Sequence, residues 1–121
     1  MMRTMGEGEE KPSKGFLLRE ASAATPRNGM LSRALLDDAV TRVTLIGLAA
    51  GERRAEHSSR FPALLLLQGG SCEMHLAGDR VELRQGSLMR LRAGLPYALL
   101  AREKSSLLLI LLKVDEERWV P

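Results

Sequence analysis

Few side chains in this sequence are suited to chemistry, and the histidines and the tyrosine come first. The 121 residues include two histidines (His57 and His75), one tyrosine (Tyr97) and one cysteine (Cys72). A histidine and a tyrosine can exchange protons across a substrate carbon or oxygen when a fold brings them together. One imidazole and one phenol do not make a tight metal site, which normally needs at least three protein ligands. The single cysteine excludes an intrachain disulfide and a cysteine-based zinc knuckle, and it fits a reducing compartment.

The charge and composition argue against nucleic-acid and membrane partners. The formal net charge is +3, and 14 of the 18 basic residues are arginines spread along the chain. Arg80 and Arg84 alternate with apolar neighbours, which is typical of a solvated strand face rather than a nucleic-acid stripe. Aromatic residues make up 3% of the chain, too few to stack bases. The longest apolar run, residues 107–112, is far shorter than the ~20 residues of a membrane-spanning helix.

The length and composition predict one globular domain behind a short tail. A chain of 121 residues with 45% hydrophobic and 27% charged side chains can build one hydrophobic core. Residues 1–14 are polar and predict a frayed tail, which leaves residues 15–121 for a single domain. The tail lacks the apolar segment of a signal peptide, so we expect a cytoplasmic protein.

Short apolar or alternating runs, separated by Gly, Pro, Asn, Asp or Ser, predict β-strands along the whole domain. The predicted strands are residues 15–19, 30–36, 41–49, 63–68, 72–76, 80–84, 88–91, 97–102 and 107–113. Asp37 and Asp38 predict a turn between two strands, and Gly78 lies where a hairpin turn is expected. Many short strands with regular turns indicate an all-β antiparallel sandwich or barrel.

Two of the predicted strands are apolar on both faces. Residues 64–67 are four leucines, and residues 107–112 read Leu-Leu-Leu-Ile-Leu-Leu. A strand needs one apolar face to join a core, so other strands or a second subunit must cover the second face. A homodimer formed by sheet packing is the interpretation we favour.

Glycines and one histidine follow a recognisable spacing in residues 51–70. His57 comes six positions after Gly51, Ser59 and Ala63 follow, and Gly70 ends the stretch. This stretch resembles the first motif of the cupins, Gly-x5-His-x-His-x3-4-Glu-x6-Gly. In that pattern Ser59 stands at the second histidine position and Ala63 at the glutamate position.

A second stretch, residues 86–101, resembles the other cupin motif, Gly-x5-Pro-x-Gly-x2-His-x3-Asn. Gly86 and Gly94 match, whereas Arg92 replaces the proline, Tyr97 the histidine and Ala101 the asparagine. Fifteen residues separate the two motifs, and the resemblance covers about residues 29–113. It implies an antiparallel double-stranded β-helix, the jelly-roll barrel of small RmlC-like cupins.

The resemblance also implies a metal position, which this sequence has largely lost. Cupins typically hold iron, manganese, zinc or nickel with three imidazoles and one carboxylate inside the barrel. Of these four positions only His57 keeps its ligand, because Ser59 is a poor ligand and Ala63 has no donor atom. Tyr97 could bind a ferric ion only as a phenolate. At neutral pH this requires the pKa of its phenol to fall far below the ordinary value of about 10. We therefore expect no metal cofactor, with a divalent transition metal as the alternative.

The polar groups that remain predict a small-molecule site at the barrel mouth. Its ligand would be a small organic molecule with one anionic or carbonyl group. The expected ligand-binding residues are His57, Ser59, Tyr97, Met89 and Arg60, with Arg92 as an alternative at the rim. Because the family positions of His57 and Tyr97 face the same interior, we expect a hydrogen bond between them. Tyr97 could instead plug the space of the metal, and the leucine runs could fill the barrel completely.

The second histidine is expected to lie outside the barrel. Cys72 alternates with Met74 and predicts a core position, while His75 shares the opposite face with Glu73. That face would point to solvent or to an interface. An inverted alternation would bring His75 into the barrel and supply a second imidazole.

These observations favour a binding or sensing module of unknown ligand rather than an enzyme. Its partners would be a small organic ligand and a second copy of the chain. Two enzyme classes remain open. One is a metal-dependent cupin enzyme, dioxygenase or isomerase-like, and the other a metal-free enzyme in which His57 and Tyr97 act as acid and base. The second class resembles the cupin-like sugar epimerases.

Overall fold

The computed structural model describes residues 25–115, and these residues form nine β-strands. They are β1 (Met30–Asp37), β2 (Thr41–Leu48), β3 (Arg53–His57), β4 (Ala63–Gly69), β5 (Ser71–Leu76), β6 (Asp79–Arg84), β7 (Leu88–Leu91), β8 (Tyr97–Ala101) and β9 (Ser105–Leu112). Eight of them confirm predicted strands to within two residues at each end. The predicted strand 15–19 and the predicted tail 1–14 lie outside the described residues. In residues 25–115 no helix has the length and apolar character that crossing a membrane requires.

The strands form two antiparallel sheets that face each other. One sheet has the order β1-β2-β9-β4-β7, and the other has the order β3-β8-β5-β6. From β2 onward the chain crosses between the sheets at every connection except the β5–β6 hairpin. This alternation winds the chain as a double-stranded β-helix and confirms the predicted fold class.

The core lies between the sheets and consists mainly of leucine. Leu65 and Leu67 of β4 and Leu107 of β9 are fully buried on the inner face of the five-stranded sheet. Met74 of β5 and Leu99 of β8 belong to the same cluster from the opposite sheet, with at most 1% of their surface exposed. Burying each such side chain contributes about 1.5–3 kcal/mol relative to leaving it exposed.

The outer face of the five-stranded sheet is also apolar. Leu64 and Leu66 of β4 and Leu108 and Ile110 of β9 point away from the core and are only partly buried. Leu88, on the neighbouring edge strand β7, is 62% exposed. The prediction that these strands are apolar on both faces is therefore confirmed.

Two turns fix how the strands connect. Between β1 and β2, Asp38 Oδ1 accepts the backbone N–H groups of Val40 at 2.9 Å and Thr41 at 2.8 Å, which confirms the predicted turn. Between β4 and β5, Gly70 has a φ of 89°. A Cβ atom at Gly70 would lie 2.7 Å from Ser105 Cα and would also overlap the Lys104 carbonyl oxygen. Only glycine fits this position without displacing the chain before β9.

Candidate functional site

Three of the four positions at which the motifs of the family carry metal ligands, those of His57, Ala63 and Tyr97, converge at one end of the barrel. His57, the last residue of β3, is the register partner of Tyr97, the first residue of β8. Tyr97 also pairs with Leu76 at the end of β5. Ala63 begins β4 in the opposite sheet and shares a buried cluster with Tyr97. Residues of the two motifs therefore meet in space, although 15 residues separate Gly70 from Gly86 along the chain.

A β-bulge in β3 decides which of its side chains face inward. Arg54 pairs with Leu99 and His57 pairs with Tyr97, so three steps along β3 match two steps along β8. In regular pairing Arg54 and His57 would lie on opposite faces, because side chains alternate along a strand. The bulge places both on the face of Leu99 and Tyr97, which points into the barrel.

His57 and Tyr97 meet through their rings. The ring centroids lie 6.2 Å apart and the rings are perpendicular, an edge-to-face contact. This contact stands in place of the hydrogen bond that we expected between these two described residues, so that prediction was wrong. Tyr97 is 4% exposed and belongs to the core, as the plug interpretation requires.

The protonation states of this pair follow from burial and from a nearby positive charge. Burial raises the pKa of the Tyr97 phenol, and the positive charge of Arg54 together with a hydrogen bond from its side chain offsets only part of that effect. His57 itself is exposed at the end of β3, but the burial of part of its ring lowers the pKa of the imidazole, and the charge of Arg54 lowers it further. At neutral pH the phenol is therefore protonated and the imidazole uncharged.

Arg54 is the charged residue of the site, and the sequence analysis missed it. Its Cζ atom lies 5.8 Å from the centroid of the Tyr97 ring, within cation–π distance. Its Nη1 atom is buried and has no hydrogen-bond partner among residues 25–115. A buried donor without a partner costs about 1–3 kcal/mol, and more when it is charged. The available signal was its place within the first motif, three residues before His57.

The other predicted ligand-binding residues surround this end of the barrel in different ways. Ser59 Oγ accepts the Phe61 N–H at 3.1 Å, and the Ser59 carbonyl accepts the Gly94 N–H at 2.6 Å, which joins the two motif loops. The Arg60 guanidinium is exposed and lies 4.9 Å from the Phe61 ring centroid. Met89 is partly buried against the core on the inner face of β7. Their contact with a ligand stays a prediction.

His75 lies on the outer face of the four-stranded sheet. Cys72 and Met74, which alternate with it along β5, are fully buried in the core, and Cys72 is a free thiol. His75 Nε2 forms a hydrogen bond with the Glu73 carboxylate. The predicted face of His75 is thus confirmed, and β5 supplies no second imidazole to the barrel.

Glu73 is the centre of a charged cluster on this outer face. It is 4% exposed, which the sequence analysis did not predict for a residue outside the core. Arg102 binds Glu73 and also donates two hydrogen bonds of 2.9 Å to Glu82, while Arg80 Nη1 lies 3.6 Å from Glu73. Burial raises the pKa of Glu73, but the hydrogen bond from His75 and the nearby arginines outweigh burial and hold this pKa below its ordinary value.

Comparison with solved structures identifies the fold. A conserved protein of unknown function from Streptococcus pyogenes matches with a TM-score of 0.72 and 24% identity, over 88% of this chain and 92% of that chain. A cupin superfamily protein from Desulfitobacterium hafniense matches with a TM-score of 0.73 and 22% identity, over 84% and 94%. The chain has the cupin fold. A Klebsiella pneumoniae protein with a double-stranded β-helix domain shares this cupin fold, with a TM-score of 0.67, 14% identity and coverage of 74% and 82%.

These similarities concern the fold and do not establish a function. The sequence matches no family model and no curated protein. The function of this chain therefore depends on its own side chains.

The residues at the cupin metal position do not fit a metal ion. Within the described range 25–115, no group of three or more His, Cys, Asp or Glu side chains is placed to hold one. Of the four expected ligand positions, His57 alone carries an imidazole and Ala63 has no donor atom. The raised pKa of Tyr97 opposes the phenolate that a ferric ion would need. Arg54 adds a positive charge beside these groups, which repels a divalent cation.

Proposed function

We propose that this chain is a metal-independent cupin-fold module that binds a small organic molecule, for binding or sensing rather than catalysis. The observation that carries this proposal is the position of Arg54. Its guanidinium lies beside Tyr97, where cupins typically have metal ligands, and one of its N–H donors is buried without a partner. The site therefore offers a hydrogen-bond donor and a positive charge to a ligand.

The two enzyme alternatives are less well supported by this geometry. A metal-dependent enzyme would need ligands that the positions of Ser59, Ala63 and Tyr97 do not supply. An acid–base pair would need His57 and Tyr97 to reach a common substrate. Tyr97 is 4% exposed and its ring meets His57 edge to face, which suits a packing role better than proton transfer.

Metal analysis of purified protein tests the proposal. Untagged wild type is measured by inductively coupled plasma mass spectrometry before and after chelation, and we expect far less than one equivalent of any transition metal. The matched variant restores the family ligands by Ser59→His, Ala63→Glu and Tyr97→His. With three imidazoles and a carboxylate it should take up close to one equivalent, because the backbone already brings the positions of His57, Ala63 and Tyr97 together.

The variant shows whether the scaffold or its side chains exclude the metal. Circular dichroism confirms that the variant is folded before it is analysed. Stoichiometric, chelator-sensitive iron, manganese, nickel or zinc in the wild type would overturn the proposal and favour a metal-dependent enzyme.

A further inference from the structure

We propose that the ligand of this site is a small monocarboxylate and that Arg54 binds its carboxylate group. This inference rests on the proposed function, because it names the class of molecule that the module binds. It assigns to Arg54 a role that Arg60 and Arg92 were expected to have at the rim.

The first argument is the unmade hydrogen bond. Buried N–H groups in folded proteins almost always have partners, and a buried guanidinium N–H needs one more than a neutral group does. Arg54 Nη1 is buried with no partner in residues 25–115, whereas Arg102, directly after β8, makes hydrogen bonds with two carboxylates. A carboxylate from outside the chain would accept a hydrogen bond from Arg54, as the carboxylates of Glu73 and Glu82 accept hydrogen bonds from Arg102.

The second argument is the shape and charge of the donor. A guanidinium presents a planar fork that matches the two oxygens of a carboxylate. Arg54 provides one positive charge, and His57 beside it is uncharged at neutral pH because its pKa is lowered. One charge balances a monocarboxylate, whereas a phosphate carries more charge and more acceptor oxygens than this fork can serve.

The third argument is access. The Arg54 side chain as a whole is only partly buried, although its Nη1 atom is covered. It comes from β3, which lies at the edge of its sheet among the described residues, so a ligand can approach this side chain from the side away from the other strands. The ligand's remaining atoms would then lie against the edge of the Tyr97 ring and the His57 imidazole, whose nitrogen can bind one hydroxyl or carbonyl group.

Calorimetric titration with matched pairs of ligands tests the inference. The probes are propionate and benzoate, each compared with its amide, and inorganic phosphate. We expect at least one carboxylate to bind wild-type protein, and its amide to bind at least tenfold more weakly. The variant Arg54→Met keeps the length of the side chain and removes the charge, so the carboxylate should lose at least tenfold in affinity. Arg53→Met is the control, because Arg53 is exposed one residue away and should leave affinity unchanged.

A spectroscopic signal reports the same event independently of affinity. Tyr97 is the only tyrosine in the sequence, so protein labelled with ¹³C-tyrosine gives one set of ring signals. Carboxylate binding should shift these signals in wild type and in Arg53→Met, because a carboxylate bound to Arg54 changes the charge beside the ring. Arg54→Met should show no such shift.

The outcomes separate this inference from the proposed function. If an amide or another neutral molecule binds wild type and Arg54→Met equally, the module binds ligands but the carboxylate assignment is wrong. If the carboxylate binds Arg54→Met as tightly as wild type, Arg54 is not its anchor. A large loss of thermal stability in Arg54→Met with unchanged binding would make Arg54 a structural residue, which also overturns the inference. If metal analysis overturns the proposed function, the titration still reports on Arg54 itself.

Discussion

At the scale of single residues, one charged side chain on each face of the four-stranded sheet meets very different surroundings. On the outer face Glu73 is surrounded by His75, Arg102 and Arg80, so its negative charge is fully balanced. On the inner face Arg54 has an aromatic ring beside it and a donor without a partner. A balanced charge stabilises the folded chain, whereas an unbalanced one is available for a ligand.

The Glu73 cluster should make the stability of the fold depend on pH in the acidic range. Because the folded-state pKa of Glu73 lies below its ordinary value of 4.5, the ionised form stabilises the fold above that value. This contribution is lost as the pH falls from about 4.5 through the lower folded-state pKa. We expect Glu73→Gln to lower stability at pH 7 and to flatten its fall between pH 5 and pH 3, measured by urea unfolding. Glu56→Gln, at an exposed carboxylate on β3, is the control. Parallel pH profiles for wild type and Glu73→Gln would contradict this assignment.

At the scale of elements, the loop between β4 and β5 is held against the start of β9. The Ser105 hydroxyl donates to the Ser71 carbonyl at 3.1 Å, and the Arg102 N–H bonds the same carbonyl at 2.9 Å. Gly70 lies directly beneath this contact, with no room for a side chain. The turn therefore fixes how the two sheets connect at the end of the barrel away from His57.

Alanine substitutions at two glycines distinguish the cost of a steric clash from the cost of backbone strain. Gly70 and Gly78 both have a positive φ, 89° and 83°, but an added Cβ meets no atom within 4 Å at Gly78. Gly78→Ala should cost about 1–2 kcal/mol in the free energy of unfolding, the strain of a left-handed alanine. Gly70→Ala should cost about 1–3 kcal/mol more, because the chain near Ser105 must move. If urea unfolding showed equal losses of stability for the two variants, the chain near Ser105 would accommodate a Cβ atom at position 70 without cost.

The elements also show what the sequence could predict. Eight strands were predictable because runs such as residues 64–67 and 107–112 are long, apolar and bounded by turns. β3 was not, since its residues are mostly polar and exposed at a sheet edge. Its bulge brings Arg54 inward against simple alternation, so the most informative side chain of the site was missed.

The motif spacings nevertheless predicted which residues meet. His57 and Tyr97 are register partners, as the resemblance implied, but their ring orientation depends on packing that spacing does not specify. The burial of Glu73 was equally out of reach, because Arg102, which covers it, lies 29 residues further along the chain.

At the scale of the whole molecule, the outer face of the five-stranded sheet is the surface through which we expect the chain to assemble. Leu64, Leu66, Leu108 and Ile110 form a partly buried apolar area that continues to the exposed Leu88. A contiguous apolar area of this kind usually marks an interface. We expect a second copy of the chain to cover it, with the same face contributed by both subunits.

Sedimentation velocity at tens of micromolar tests this expectation with two matched substitutions. Leu88 and Val40 are almost equally exposed, at 62% and 61%, but Val40 lies in the β1–β2 turn rather than on the sheet. Wild type and Val40→Glu should sediment as dimers, and Leu88→Glu should shift toward monomer because a charge then enters the interface. A clean species at the 13.3 kDa monomer mass for wild type would rule out the dimer.

The bulge in β3 has a consequence for how such a barrel can change over evolutionary time. Deleting one residue between Arg54 and His57 would restore regular pairing, because the two side chains would then be two positions apart and would still share the face of Leu99 and Tyr97. Only the ladder with β8 would be affected, because β3 lies at the edge of the described sheet. The strand can therefore lose its extra residue while Arg54 and His57 keep their inward face and the leucine core keeps its packing.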